Sequence, residues 1–381
     1  MPRVEEMNPN HSMSDKWYYT CNNKSFINKM SAITEAGLIQ SIKFNSPVEY
    51  ESFNFVNEPS ESWYELLSNK AQVLRESYDY LRIWYSGGCD SHTILEVFLN
   101  NNIHIDEIVC VKSGFSEADF EIINYAEPYL KKIKNLIPKT KISIETFSID
   151  DYKKYYSNPA WLENSLLRKP NNFNFHFRIN YMKESNIEYR NTERSINIKG
   201  KEKPKLIHIN NEWYTYFLDV DIEHQYGQCN FFVDDPKLHS KQCHMLMNAI
   251  IKNINKKDFN HVSDYGKYED FWNQHSGRYI FGTNKGPRKA MLFDNVSWGN
   301  TKLHIINQKD NIALRKATES CPDLVLKWNN KLNEYSEMFE GKWFNQGRFE
   351  LGTVGVFSNF YGLTKKSTKT VDELFPNGFK V

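Results

Sequence analysis

Leu81-Arg82-Ile83-Trp84-Tyr85-Ser86-Gly87-Gly88-Cys89-Asp90-Ser91 is the stretch on which the fold turns. An apolar run breaks at two adjacent glycines. It then passes into His92-Thr93-Ile94-Leu95-Glu96-Val97-Phe98-Leu99, where apolar residues recur at helical spacing. Strand, turn and helix start thus follow within eleven residues. Glycines let the backbone approach a ligand closely, and a helix opening near Ser91 aims unsatisfied N–H groups and its positive dipole end at the same point. The stretch predicts an anion cradle at a strand end. A plain strand-to-helix turn would also use such glycines, so the surrounding elements have to decide.

Upstream, Trp63, Leu66, Leu67, Ala71, Leu74 and Tyr78 predict a helix over 62–78 that leads straight into the strand. Downstream, Glu107 to Lys112 reads as a buried strand, 117–137 as a long helix and 142–147 as a third strand. A helical stretch around 177–185 precedes a fourth strand, Ser195 to Lys199, which stops at Gly200-Lys201-Glu202-Lys203-Pro204. This alternation predicts an α/β fold with a parallel sheet, helices on both faces, and a ligand at the carboxyl ends of the strands near the switch point.

Beyond Pro204 the alternation stops. Residues 206–209 and 213–218 flank Asn210-Asn211-Glu212 as a hairpin, and 236–254 and 323–339 read as helices. Ahead of the first long helix, 17–55 mixes aromatic and polar residues, with a short helix over 25–36. The expected organisation is an N-terminal extension over 1–60, an α/β domain over 61–204 and a mixed, largely helical lobe over 205–381.

The run Ser86-Gly87-Gly88-Cys89-Asp90-Ser91 resembles the SGGxDS signature of the PP-loop ATP pyrophosphatases. That family includes the synthetase domain of asparagine synthetase, GMP synthetase, NAD synthetase and several tRNA-modifying enzymes. The resemblance is nearest to asparagine-synthetase-like synthetase domains and covers residues 60–260. It implies an adenine-nucleotide alpha-hydrolase-like core over 61–204 that cleaves ATP, with Mg²⁺, between its α- and β-phosphates.

Carried over by position, Ser86, Gly87, Gly88, Asp90 and Ser91 would hold the departing pyrophosphate, Tyr85 just before them is counted with the cofactor-binding residues, and Lys112 and Ser113 would receive the adenosine. Gly200, Lys201 and Glu202 would form a second anchor. Lys201 would neutralise charge on the α-phosphate, while Asp90 and Glu202 would hold the magnesium. Lys201 and Asp90 are thereby the expected catalytic pair. The family carries a glycine- and acid-rich motif where this chain has GKEKP, which leaves the acceptor substrate open. Its glutaminase cysteine follows the initiator methionine, whereas Pro2 stands there in this chain and the first cysteine is Cys21. Ammonia or an amine is therefore the expected nucleophile. Nucleobase modification of tRNA or DNA, and a non-catalytic nucleotide-binding or interaction module, are the alternative readings.

The remaining features narrow the field less. A net charge of +1 and a pI near 7.6 give no global field for nucleic acid. A local surface could still combine Lys285 to Lys289 with Trp343, Phe344, Phe349, Phe357, Phe360 and Tyr361. The acids Asp219, Asp221 and Glu223 alternate with apolar residues, as in a half-exposed strand or a cation-binding face. His176, His224, His239 and His244 are scattered, and the six cysteines form no CxxC pair. Without an apolar leader or spanning segment, a reduced cytoplasmic protein with no membrane partner is expected; its oligomeric state is not legible.

Overall fold

A computed structural model of the chain describes residues 17–27, 29–37, 42–114, 119–148, 150–151, 194–200, 205–209, 212–217, 219, 228–253, 323 and 356–374. Strands β1 (Tyr18–Cys21) and β2 (Lys24–Phe26) form an antiparallel hairpin, followed by α1 (Lys29–Ala36). The helix read over 25–36 therefore starts late. Asn22 and Asn23 take φ of 47° and 61°, so the pair makes a tight two-residue turn and sends 24–26 back along β1. Strand β3 (Lys43–Asn45) pairs with the other side of β1, and α2 (Val48–Ser52) follows.

Helix α3 (Trp63–Ser77) starts where its capping chemistry dictates. Ser62 Oγ accepts the Glu65 N–H at 3.2 Å, and the Glu65 carboxylate accepts the Ser62 N–H at 2.7 Å. Next come β4 (Tyr80–Trp84), α4 (Cys89–Asn100) and β5 (Glu107–Lys112). The long helix read over 117–137 is interrupted: Ile122–Ala126 is a π-turn, continued by α5 (Glu127–Ile133). Pro128 in the first turn of α5 has no N–H to give, which accounts for the shifted ladder at this point.

The remaining elements are β6 (Lys141–Thr146), β7 (Ser195–Lys199), β8 (Lys205–Ile209), β9 (Glu212–Tyr216), β10 (Gln228–Asn230), α6 (Pro236–Asn253), β11 (Phe360–Gly362), β12 (Thr368–Lys369) and α7 (Val371–Leu374). Five strands form an all-parallel sheet in the order β10-β7-β4-β5-β6. The chain steps outward from β4 through β5 to β6 and then returns to lay β7 on the other side of β4. The switch point consequently lies between β4 and β7. An α/β fold is thus present, and β10 extends it beyond Pro204, where the alternation was read as finished.

Leu81, Ile83, Ile108, Cys110, Ile196 and Ile198 turn one sheet face to a core shared with residues of α3, α4 and α5. A second core joins Trp17, Phe44, Tyr50 and Phe55 to Trp213, Phe217, Met247 and Tyr361. Residues from the expected N-terminal extension are therefore built into the same core as β9, α6 and β11. Strands β8 and β9 do form the expected hairpin, within an antiparallel sheet ordered β12-β11-β9-β8. The described part of the C-terminal lobe holds these strands together with helices α6 and α7. Among the described residues, no helix is long and apolar enough to cross a membrane.

Candidate functional site

The glycine loop leaves the carboxyl end of β4 beside the switch point and enters α4 at Cys89. Gly88 is the N-cap residue and supplies no side chain to cap the helix, so no cap competes with an anion for its first N–H groups. Gly87 has φ +76°, and a Cβ there would lie 3.0 Å from the Glu121 carbonyl oxygen and 3.1 Å from the Ala126 Cβ. Glycine is required twice over, by backbone angle and by the π-turn packed against it.

The loop hydroxyls close a ring. The Gly88 N–H donates to Ser86 Oγ at 3.4 Å, the Ser86 and Ser91 oxygens stand 3.1 Å apart, and Ser91 Oγ donates to the Gly88 carbonyl at 3.1 Å. Ser91 Oγ also accepts the Ser86 N–H at 3.1 Å. Each hydroxyl has one proton, so Ser91 spends its own on Gly88 and Ser86 donates to Ser91. Ser86 is exposed, while Ser91 is buried. An incoming anion could take over the Ser86 hydroxyl and the Gly88 N–H, leaving Ser91 as the brace.

The anchor after β7 meets this loop directly. A Cβ on Gly200 would lie 3.0 Å from the Asp90 Cβ and 3.0 Å from the Ser91 nitrogen. Gly200 therefore presses its backbone onto the first turn of α4. Lys201 and Glu202 follow it in sequence and lie outside the described residues. Asp90 is half-buried at this junction. Among the described residues, no group of three or more His, Cys, Asp and Glu side chains could hold a metal ion.

Two expected contacts take another form. Tyr85 turns into the core rather than toward a ligand: its hydroxyl stands 3.1 Å from His92 Nδ1, and its N–H bonds the Val109 carbonyl at 2.8 Å. Lys112 is ion-paired with Glu127, which competes with any role on adenosine. Ser113 keeps its place at the carboxyl end of β5 but is held by a residue the sequence reading passed over. Asp119 accepts the Ser113 N–H at 2.6 Å, the Ser113 hydroxyl at 2.9 Å and the Gly114 N–H at 3.0 Å. Its only sequence signal is a short acid shortly after the strand-ending Ser-Gly, a weak sign of side-chain-to-backbone bonding.

The side chains behind the loop are also linked. Tyr129 donates to Glu96, and its ring meets His92 edge-on at 4.7 Å. Burial pushes the His92 pKa well below the usual range, against the pull of Glu96. This imidazole is neutral near pH 7.

The other candidates resolve into structure. Asp219 is buried, ion-paired with Lys29 at 2.6 Å and hydrogen-bonded by the Tyr19 hydroxyl at 2.9 Å and the Val356 N–H at 2.8 Å, so it is a clasp rather than a cation-binding face. Asp221 and Glu223 lie outside the described residues. His239 contacts Thr215 Oγ1 at 3.0 Å, and His244 Nε2 donates to the Phe55 carbonyl at 2.8 Å; both are buried. Phe360 and Tyr361 are core residues, and Phe357 packs against that core, so they offer no stacking surface to nucleic acid. Lys285 to Lys289, Trp343, Phe344, Phe349, His176, His224 and the expected helices over 177–185 and 323–339, apart from Asp323, lie outside the described residues.

Comparison of the chain with family models, with curated proteins and with solved structures gives no match. The class that fold and site define is accordingly an α/β protein with an anion-suited loop at the switch point of its parallel sheet.

Proposed function

We propose that the chain is an ATP-dependent, AMP- and pyrophosphate-forming enzyme of the PP-loop type, joining an activated acyl group to ammonia or an amine. The observation that supports this most is the convergence of the Ser86–Ser91 loop, the uncapped start of α4 and Gly200 at one switch point.

In the reaction, a carboxylate oxygen of the acceptor attacks the α-phosphorus, and the bond from that phosphorus to the α,β-bridging oxygen breaks. Pyrophosphate departs with the electron pair. The N–H groups of the loop and of α4, with the Ser86 hydroxyl, hold the charge that develops on it. The amine then attacks the acyl carbon, AMP leaves, and the amine's surplus proton passes to solvent. Catalysis rests on positioning and charge, with no covalent enzyme intermediate.

Mg²⁺ keeps several waters and takes one or two carboxylates plus phosphate oxygens, so Asp90 alone at the loop suits it. When bound, it would offset the charge of the phosphates. Lys201 is proposed to face the α-phosphate and Glu202 to assist with the metal.

The test is product analysis. Purified protein with ATP, Mg²⁺ and panels of carboxylate and amine acceptors is expected to release pyrophosphate and AMP. Release of orthophosphate and ADP instead would rule out this chemistry.

A further inference from the structure

The face of the parallel sheet opposite the α3–α5 core is polar. Asn197, Arg82, Glu107 and Lys141 are register neighbours across β7, β4, β5 and β6. Parallel sheets ordinarily bury apolar side chains on both faces. Here Arg82 Nε donates to Glu107 at 2.7 Å, Arg82 Nη1 donates to Asn197 Oδ1 at 3.0 Å, and Trp84 Nε1 donates to the same oxygen at 3.1 Å. One row nearer the carboxyl ends, Asn230 is the register neighbour of Lys199, whose ammonium stands 5.6 Å from the centre of the Trp84 ring.

Two groups on this face are incomplete. Arg82 is 1% exposed and Asn230 is 1% exposed, yet Arg82 Nη2 and both side-chain amide atoms of Asn230 have no hydrogen-bond partner. Burying such groups without partners is costly. The unfilled bonds are mostly donors: the N–H groups of Arg82 Nη2 and Asn230 Nδ2 outnumber the single acceptor Oδ1. A complementary ligand is rich in acceptors. The charges nearby favour an anion, because Arg82 and Lys141 both pair with the one carboxylate of Glu107, at 2.7 Å and 3.2 Å.

We infer that this polar face is a binding site for a small carboxylate, which completes Arg82 Nη2 and Asn230 and lies beside Trp84 and Lys199. Its carboxyl edge adjoins the glycine loop. Trp84 is two residues before Ser86, about 7 Å of extended chain, and Lys199 immediately precedes Gly200, which rests on Asp90 and Ser91. As a binding site it stands on the sheet geometry alone. As the seat of the acceptor that ATP activates, it rests on the function proposed above.

The test uses the full chain, with ¹⁵N-labelled tryptophan and asparagine side chains observed during titration with succinate, with succinamide and sodium chloride as controls. The Trp84 indole and Asn230 amide signals are expected to shift saturably with succinate and not with either control. Asn230→Leu, close in volume and free of the orphaned amide, is expected to raise the unliganded melting temperature and to weaken succinate binding at least tenfold. Pyrophosphate titration of the same samples reads the glycine loop separately. Absence of a saturable response to succinate in wild-type protein would overturn the carboxylate site, whatever pyrophosphate does. A stabilised Asn230→Leu variant that binds succinate as wild type does would overturn the role of Asn230 and with it the site.

Discussion

Gly200 directly follows β7 and Asp90 lies in the first turn of α4, which follows β4, and the two meet so closely that a Cβ on Gly200 would stand 3.0 Å from the Asp90 Cβ. This contact fixes the loop after β7 against the start of α4. Gly200→Ala must push the two apart, at a cost of about 1–3 kcal/mol, and is expected to weaken pyrophosphate binding. Calorimetric titration of the variant checks this. Unchanged affinity would mean that the contact does not shape the loop.

Ser86 and Ser91 share a hydrogen-bonded ring but differ in burial. Ser91→Ala takes the acceptor from the Ser86 N–H, while the Gly88 carbonyl keeps the His92 N–H at 2.9 Å, a loss of about 1–3 kcal/mol. Ser86→Ala, at an exposed position, is expected to change stability much less and still to weaken anion binding. Thermal melts paired with pyrophosphate titrations separate the brace from the ligand contact. Equal stability loss in both variants would contradict the division of roles.

Arg82 and Glu107 are a buried pair, each side chain 2% exposed. Arg82→Met strands the Glu107 charge and is expected to cost about 3–5 kcal/mol, while the double variant Arg82→Met/Glu107→Leu costs less than the sum of its parts. Burial raises the Glu107 pKa, but its bonds to Arg82 and Ser143 and the charge of Lys141 bring it below the usual range. A depressed carboxyl pKa stabilises the fold above the unfolded value, near 4.3, and that contribution disappears as pH falls through the folded value. Urea unfolding from pH 7 to pH 3 should show the loss, and the double variant should lack it.

Two buried histidines add a separate acid sensitivity. Desolvation lowers the His92 pKa, and desolvation with the Lys205 charge lowers that of His239 to about 3. The unfolded chain binds these protons near pH 6.5 and the folded chain does not, so stability is full above that pH and declines below it. His92→Asn is expected to flatten part of this slope. An unchanged slope would show that His92 already titrates normally in the fold.

The Lys29–Asp219 clasp connects segments far apart in sequence, with side chains 4% and 0% exposed. Lys29→Met leaves Asp219 without its ion partner and is expected to cost about 3–5 kcal/mol in urea unfolding. A change within 0.5 kcal/mol, typical of neutral surface sites, would contradict a structural clasp.

The strongly periodic parts of this chain were legible in sequence. Trp63 to Leu74 at helical spacing, the β4 turn and the Ser195 to Lys199 strand all fall where their patterns place them. What escaped was set by contacts between distant residues or by single-residue backbone chemistry. Asn22-Asn23 carries a turn signal that an apolar stripe over 26–36 masked. Gln228 to Asn230 is too short a strand to announce itself and becomes one by pairing with β7. The glycine loop was readable because its residues act locally. Asp119, the π-turn against Gly87 and the Lys112–Glu127 pair were not, since each exists only once the chain has folded.

Pyrophosphate binding by the Ser86–Ser91 loop is the core of the proposed function. Backbone amide NMR of the full chain during titration with pyrophosphate and with Mg²⁺-ATP tests it most directly. Saturable shifts at Gly87, Gly88 and Cys89, lost in Ser86→Ala/Ser91→Ala, are the expected result. Saturable shifts located elsewhere, or no response at these three amides, would contradict the account.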